Sequence, residues 1–113
     1  MLSSERLAGL IHRYLSNIIN ENIKNPNIGY INLTEVRVTK DHAYATIFFT
    51  ILNDNNDNIE LAKSELGRFK GKIKKDLAEK IKDTRKIPDL IFKFDESLRN
   101  GNKIEKILAT LNK

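Results

Sequence analysis

Apolar residues at helical spacing, interrupted by a stretch of β-branched and aromatic residues, constrain the fold of this chain more than any other feature. Apolar residues recur every three or four positions from Leu7 to Ile19, which predicts an amphipathic helix that Ser3 or Ser4 can cap. Because a proline disfavours helical geometry in the residue before it, Pro26 places the end of this helix near Ile23.

The next segment has the composition of strands. Residues 30–40 and 43–52 are predicted to form a hairpin with a tight turn at Asp41 and His42. The apolar positions change parity within the first of these strands, which predicts a bulge or a change of face near Glu35. A third strand is predicted over residues 90–94.

A second run of helical spacing extends from Ile59 to Ile81, but Gly67 and Gly71 interrupt it. Glycine is a poor residue for the interior of a helix, so we predict two helices that meet at a bend. The strands and helices together indicate an α+β fold, in which helices cover one face of a three-stranded sheet.

Length and composition fit a single domain over residues 1–113, with a short last helix over residues 104–111. No apolar run approaches the roughly 18 residues of a membrane span, and the N-terminus lacks the pattern of a secretory signal. We therefore expect a cytoplasmic protein without membrane association. The absence of cysteine excludes disulfides and cysteine metal ligands.

Residues suited to catalysis are few. His12 and His42 are the only histidines, and neither has an obvious partner at the spacing of a metal site or a catalytic triad. Asp95 and Glu96 are adjacent, so on a strand they would point to opposite faces, and a turn or cap role is expected instead. We predict no catalytic residues, no metal site and no cofactor.

Positive charge is concentrated in one segment. Residues 68–86 hold nine bases and three acids, whereas the remainder of the chain holds eleven bases and twelve acids. With Ile73, Leu77 and Ile81 facing inward, one side of this segment becomes a basic face, which is typical of proteins that bind nucleic acid. A surface that only increases solubility is the alternative interpretation. The neighbouring glycines and the scarcity of acids favour a polyanionic partner.

We expect this face to recognise RNA by shape and phosphate contacts. The aromatic residues Phe48, Phe49, Phe92 and Phe94 lie in predicted strands and are interpreted as core rather than as platforms for base stacking. The predicted RNA-binding residues are Arg68, Lys70, Gly71, Lys72, Lys74, Lys75, Lys82, Arg85 and Lys86.

Several segments resemble bacterial ribosome-binding factor A: residues 23–29, 36–45, 49–54, 87–90 and 95–98. The resemblance implies a KH-like fold of type II, with the order α-β-β-α-α-β and a short C-terminal helix. It also implies a non-enzymatic factor that binds the free small (30S) ribosomal subunit and its ribosomal RNA late in assembly. Such a factor supports maturation of the 5′ end of that RNA and growth in the cold, and a GTPase is implicated in its release.

The family has an Ala-x-Gly bend between its two central helices, and the matching positions here read Phe69-Lys70-Gly71. We expect the bulky Phe69 either to change the angle between the helices or to pack into the core. Two other hypotheses are a generic KH-like module for single-stranded nucleic acid and an interaction domain whose basic face docks an acidic protein. The protein is expected to act as a monomer.

Overall fold

The structure is a computed structural model that describes residues 2–82, 84 and 86–97. These residues form two helices and three strands, in the order α1 (Ser4–Asn22), β1 (Ile31–Val38), β2 (Tyr44–Ile51), α2 (Asn56–Lys80) and β3 (Asp89–Phe94). The predicted α+β class, the hairpin and the third strand are therefore confirmed.

Helix α1 forms where the apolar spacing predicts it. The Ser3 hydroxyl accepts a hydrogen bond from the Arg6 N–H at 3.2 Å and caps the first turn. At the other end, the helix stops at Ile23, whose N–H donates to the Ile19 carbonyl. The buried face of α1 consists of Leu7, Ile11, Leu15, Ile18 and Ile19.

The sheet has β2 at its centre. Strand β1 pairs with β2 in antiparallel orientation, and β3 pairs with β2 in parallel orientation. The register shifts between Leu33 and Glu35, so Thr34 is the extra residue of a bulge, as the change of parity predicts. The hairpin turn contains His42 in a left-handed conformation with φ of 60°.

The core lies between one face of the sheet and the two helices. Alternate residues of β2 are buried there, and the Phe49 and Phe94 rings meet edge to face with centroids 5.7 Å apart. Phe92 packs partly buried against the same cluster. These three phenylalanines therefore belong to the core, as predicted.

Phe48 does not belong to the core, so its predicted place is wrong. It follows the opposite parity of β2 from the buried Ile47 and Phe49, and it is half-buried. Its neighbours across the sheet are Glu35 and Lys93. Within the described residues, the helices pack on the core face, so this second face of the sheet is open.

The prediction of two helices that meet at a bend is wrong, because α2 is one continuous helix of 25 residues. Gly67 and Gly71 each cost this helix about 1 kcal/mol relative to alanine. Each large apolar side chain that the helix buries contributes roughly 1.5–3 kcal/mol, and together these outweigh the two glycines. The buried residues of α2 are Ile59, Ala62, Leu66, Ile73 and Leu77.

Phe69 occupies the position where a bend was expected. It packs partly buried against the core, on the side of α2 that Leu66 and Ile73 also use. Phe69 thereby fills the interval between these two residues and continues the apolar side of the helix past the glycines. This agrees with the expectation that Phe69 packs into the core.

Two predictions lie outside the described residues: the last helix over residues 104–111 and the contact of Arg85. Among the helices that are described, none has the length and apolar character required to cross a membrane.

Candidate nucleic-acid interface

The side of α2 opposite its buried residues carries small side chains and two glycines. Ser64, Gly67, Gly71, Lys75 and Ala78 are all exposed, and at 100° per residue they fall on one side of the helix. A Cβ atom added at either glycine would meet no atom within 4 Å. A ligand can therefore approach the helix backbone closely along this side.

Basic side chains lie on this strip and beside it, and Lys82 and Lys86 follow the end of α2. We call the strip and its bases the basic face of α2. Five of these bases are exposed, whereas Lys70 and Lys74 are half-buried. The exposed ones are Arg68, Lys72, Lys75, Lys82 and Lys86.

Three of the predicted contacts already have carboxylate partners in the free protein. Arg68 lies 3.7 Å from Glu65, and Lys70 lies 3.3 Å from Asp89. Lys72 lies 3.0 Å from a carboxylate oxygen of Asp76, one turn further along α2. Ion pairs as exposed as these contribute about 0–1 kcal/mol, so phosphate groups can replace the carboxylates at little cost.

The remaining lysines of the basic face are available without such an exchange. Lys74, Lys75, Lys82 and Lys86 form no ion pair within 4 Å in the part of the chain that the structure describes. This separation of paired and unpaired bases depends on side-chain geometry, so the count of charges along the sequence could not provide it.

Asp76 positions Lys72 and connects the two helices. Its carboxylate accepts hydrogen bonds from the Lys72 ammonium at 3.0 Å and from the side-chain amide of Asn22 at 3.1 Å. The bond from Lys72 first, and then that from Asn22, holds the pKa of Asp76 below its usual value. In the sequence Asp76 is only an opposing charge; in the structure it fixes one of the bases.

Lys70 connects the basic face of α2 to the sheet. Its partner Asp89 is the first residue of the edge strand β3 and pairs with Tyr44 across the sheet. Lys70 therefore reaches the edge of the sheet, where it neutralises Asp89. Because Lys70 and Asp89 are far apart in the chain, their ion pair cannot be predicted from the local sequence.

Arg68 is held by an aromatic ring as well as by its carboxylate partner. Its guanidinium lies 5.2 Å from the centroid of the Phe69 ring, within the range of a cation–π contact. Phe69 itself packs against the core. Phe69 therefore supports Arg68, the first base of the basic face.

The residues that were weighed as catalytic have structural partners. The Nε2 atom of His12 lies 3.2 Å from the Leu33 carbonyl oxygen, which is a structural contact with the backbone of β1. Asp95 accepts hydrogen bonds from Ser97 and Thr34, and these lower its pKa, with the Ser97 hydroxyl first. The expected turn or cap role of Asp95 is confirmed. Among the described residues, no group of three or more histidine, aspartate or glutamate side chains could hold a metal ion.

A family model of ribosome-binding factor A matches residues 3–108. The chain belongs to this family. It is 44% identical over 112 residues to ribosome-binding factor A of Phytoplasma mali, an alignment that covers 99% of this chain and 98% of its relative.

Solved structures of ribosome-binding factor A share this fold. The crystal structure of the Thermus thermophilus protein aligns with a TM-score of 0.70 at 19% identity, covering 83% of this chain and 97% of that one. A homology model of the Thermus thermophilus protein, fitted into a cryo-EM map of a 30S–RbfA complex, aligns equally well, with 20% identity and 80% and 93% coverage. These likenesses confirm the fold class that the resemblance implies, while α2 departs from the expected bend.

Proposed function

We propose that this chain is a cytoplasmic, non-enzymatic assembly factor that binds the small ribosomal subunit through its ribosomal RNA. The proposal treats residues 1–113 as one RNA-binding domain that acts as a monomer. Family membership supports it, as does the Thermus thermophilus relative fitted into a 30S complex. The observation that carries it is the basic face of α2, where unpaired lysines lie on and beside an exposed strip of helix backbone.

The proposed contacts are of two kinds. The lysines without carboxylate partners, such as Lys74 and Lys75, bind phosphates directly, and the bases with partners exchange them for phosphates. Gly71 allows the RNA backbone to approach the helix. Arg85, which lies outside the described residues, belongs to the proposed site because of its position in the basic segment. The proposed set is Arg68, Lys70, Gly71, Lys72, Lys74, Lys75, Lys82, Arg85 and Lys86.

The number of phosphate contacts predicts a salt dependence. If about four to six phosphates are neutralised, the logarithm of the affinity should fall with the logarithm of salt concentration at a slope of roughly −3 to −4. A surface that only increases solubility would show no saturable binding. An acidic protein partner would leave binding to purified RNA weak.

The step in assembly is proposed from the family resemblance. We infer that the protein acts late, during maturation of the 5′ end of the small-subunit RNA, and that an assembly GTPase releases it. Cells without the protein should accumulate small-subunit RNA with an unprocessed 5′ end, and more strongly in the cold. Normal processing at low temperature in such cells would contradict this step.

Charge reversal tests the basic face directly. Changing Lys72, Lys74 and Lys75 to glutamate should abolish sedimentation of the protein with free small subunits through a sucrose gradient, while circular dichroism shows that the fold persists. The matched control reverses three exposed lysines outside the segment. These lysines are Lys24, Lys40 and Lys63.

Three outcomes would contradict the proposal. Unaltered co-sedimentation of the basic-face variant would remove this face from the interface. Equal loss in both triple variants would show that net charge, rather than this face, controls association. Competition by free oligonucleotides as strong as that by whole subunits would favour a generic module for single-stranded nucleic acid.

A further inference from the structure

The face of the sheet that turns away from the helices is a second surface with the chemistry to bind RNA. We call it the open sheet face, and its side chains include Arg37, Tyr44, Thr46, Phe48, Ile91 and Lys93, together with the carboxylates Glu35 and Asp89. Tyr44 is 51% exposed and Ile91 is 36% exposed, so large side chains of this face are accessible to a ligand.

Two aromatic rings lie on this face in the central strand. Tyr44 and Phe48 are four residues apart in β2, so they are separated by about 13 Å along the strand. The guanidinium of Arg37 lies 5.3 Å from the centroid of the Phe48 ring, and 69% of the Arg37 side chain is exposed. A planar guanidinium on an aromatic ring, beside a free tyrosine ring, is suited to the stacking of unpaired bases.

The charges of the open sheet face favour an anionic ligand. Its two carboxylates are both neutralised, Glu35 by Arg37 at 3.1 Å and Asp89 by Lys70 at 3.3 Å. Lys93 is exposed, lies next to Phe48 across the sheet, and has no carboxylate within 4 Å among the described residues. A cation beside a stacking ring can contact the phosphate of the stacked nucleotide.

The open sheet face and the exposed strip of α2 point away from the core on opposite sides of the protein, and Lys70 on the flank of α2 connects them at the edge of the sheet. Lys70 extends from α2 to Asp89 at the start of β3, and Asp89 pairs with Tyr44. A path between the two surfaces therefore runs past Lys70 and around the edge strand β3. A single strand that follows the lysines of α2 can cross this edge and continue over the sheet.

A protein partner fits this face less well than RNA. The centre of a protein interface is usually depleted of charged residues. Here Arg37 and Lys93 lie on both sides of Phe48, and Thr46 separates the two aromatic rings. Hydroxyl groups between rings are suited to hydrogen bonds with base edges.

We infer that the open sheet face binds single-stranded RNA, with bases stacked on Tyr44 and on the Phe48–Arg37 pair and a phosphate at Lys93. The inference rests on the proposed function only in taking RNA as the ligand. It adds a contact that depends on base stacking, which the basic face of α2 does not use.

A tryptophan probe tests this inference directly. The chain contains no tryptophan, so Tyr44→Trp introduces a single tryptophan, whose emission is distinct from that of the remaining tyrosines, on the open sheet face. Titration with a single-stranded oligoadenylate of about 12 nucleotides should quench its emission, because the base stacks on the indole. A fully paired duplex of equal length should leave the emission unchanged.

Affinity measurements separate this contact from the basic face. Tyr44→Val should weaken oligoadenylate binding about tenfold, within the range of one lost base stack, and leave the slope of affinity against salt unchanged. Tyr44→Phe keeps the ring and should bind like the wild type. Lys93→Ala should reduce the slope by about 0.7. Thermal unfolding confirms that each variant is folded.

The remaining outcomes overturn the inference in distinguishable ways. If Tyr44→Val binds normally and the indole is not quenched, while charge reversal on α2 abolishes binding, the sheet inference fails and the proposed function stands. If neither set of variants affects binding, both fail. A fluorescence change with whole subunits but not with their deproteinised RNA assigns the face to a protein. A change that depends on protein concentration alone assigns it to a second copy of this chain. Either result rejects RNA as the occupant.

Discussion

Replacement of both helical glycines by alanine is the sharpest test of how α2 is built. Gly67 and Gly71 lie inside a continuous helix without positive φ, and the added methyl groups would meet no atom within 4 Å. Each substitution should therefore gain the full helix propensity of alanine, about 1 kcal/mol. The double variant should raise the free energy of unfolding by about 2 kcal/mol, with an unchanged dependence on denaturant.

The same change should weaken RNA binding. Two methyl groups on the exposed strip hold the RNA backbone away from the surrounding lysines, and we expect a loss of about fivefold, corresponding to about 1 kcal/mol. Urea denaturation followed by circular dichroism measures the stability, and filter binding to small-subunit RNA measures the affinity. The matched control is Ala78→Gly on the same side of α2, which should lower stability by about 1 kcal/mol.

Two results would refute this reasoning. A double alanine variant that is less stable than the wild type would mean that the glycines permit a conformation that alanine cannot adopt, so α2 would not be continuous. A variant that is more stable but binds RNA with unchanged affinity would mean that RNA does not approach the helix along this strip.

Three further predictions concern stability. Asn20→Asp removes the two hydrogen bonds that the Asn20 amide donates, one of them to the Ile31 carbonyl, and places a carboxylate beside carbonyl oxygens. Urea denaturation should show a loss of about 2–3 kcal/mol in the free energy of unfolding. An unchanged midpoint would contradict this prediction. The pKa of Asp76 is lower in the folded state than its ordinary value of 3.8, so its contribution is present above that value and is lost as the pH falls through the folded pKa. Asp76→Asn should therefore reduce the acid-induced fall in the melting temperature, and an identical pH profile would contradict the role of this carboxylate. Phe69→Ala should lower the free energy of unfolding by about 2 kcal/mol, which is less than the usual loss for a buried phenylalanine because the Phe69 ring is only half-buried. Phe69→Leu should lower it by less than half of this amount.

The elements that could be predicted from the sequence are those that local residues determine. The start of α1, the hairpin turn at His42 and the bulge at Thr34 each follow from residues within a few positions. The bend in α2 was predicted wrongly because the local cost of Gly67 and Gly71 was visible. The burial of apolar side chains against the core, including Phe69, outweighs this cost, but it cannot be seen in the local sequence.

The candidate site could be located from the sequence but not resolved. Charge density along the chain indicates the segment of residues 68–86. Which bases are already neutralised depends on contacts such as Lys70 with Asp89, which only the folded chain brings together. The parity of β2 was informative, because Ala45, Ile47, Phe49 and Ile51 are all apolar, whereas Phe48 shares its parity with Thr46 and Thr50. This alternation was not applied to Phe48. The place of Phe48 on the open sheet face was therefore missed.

The basic face of α2 and the open sheet face should differ in how strongly their contributions to RNA affinity depend on salt concentration. Contacts between lysines and phosphates weaken steeply as salt rises, because binding releases counterions from the RNA. Stacking on Tyr44 and Phe48 displaces no counterions and should persist. At low salt the basic face of α2 therefore dominates the affinity for any RNA, whereas at high salt the remaining affinity should come from unpaired bases on the open sheet face. A preference for single-stranded over duplex RNA that increases with salt concentration is the consequence of having both surfaces on one small protein.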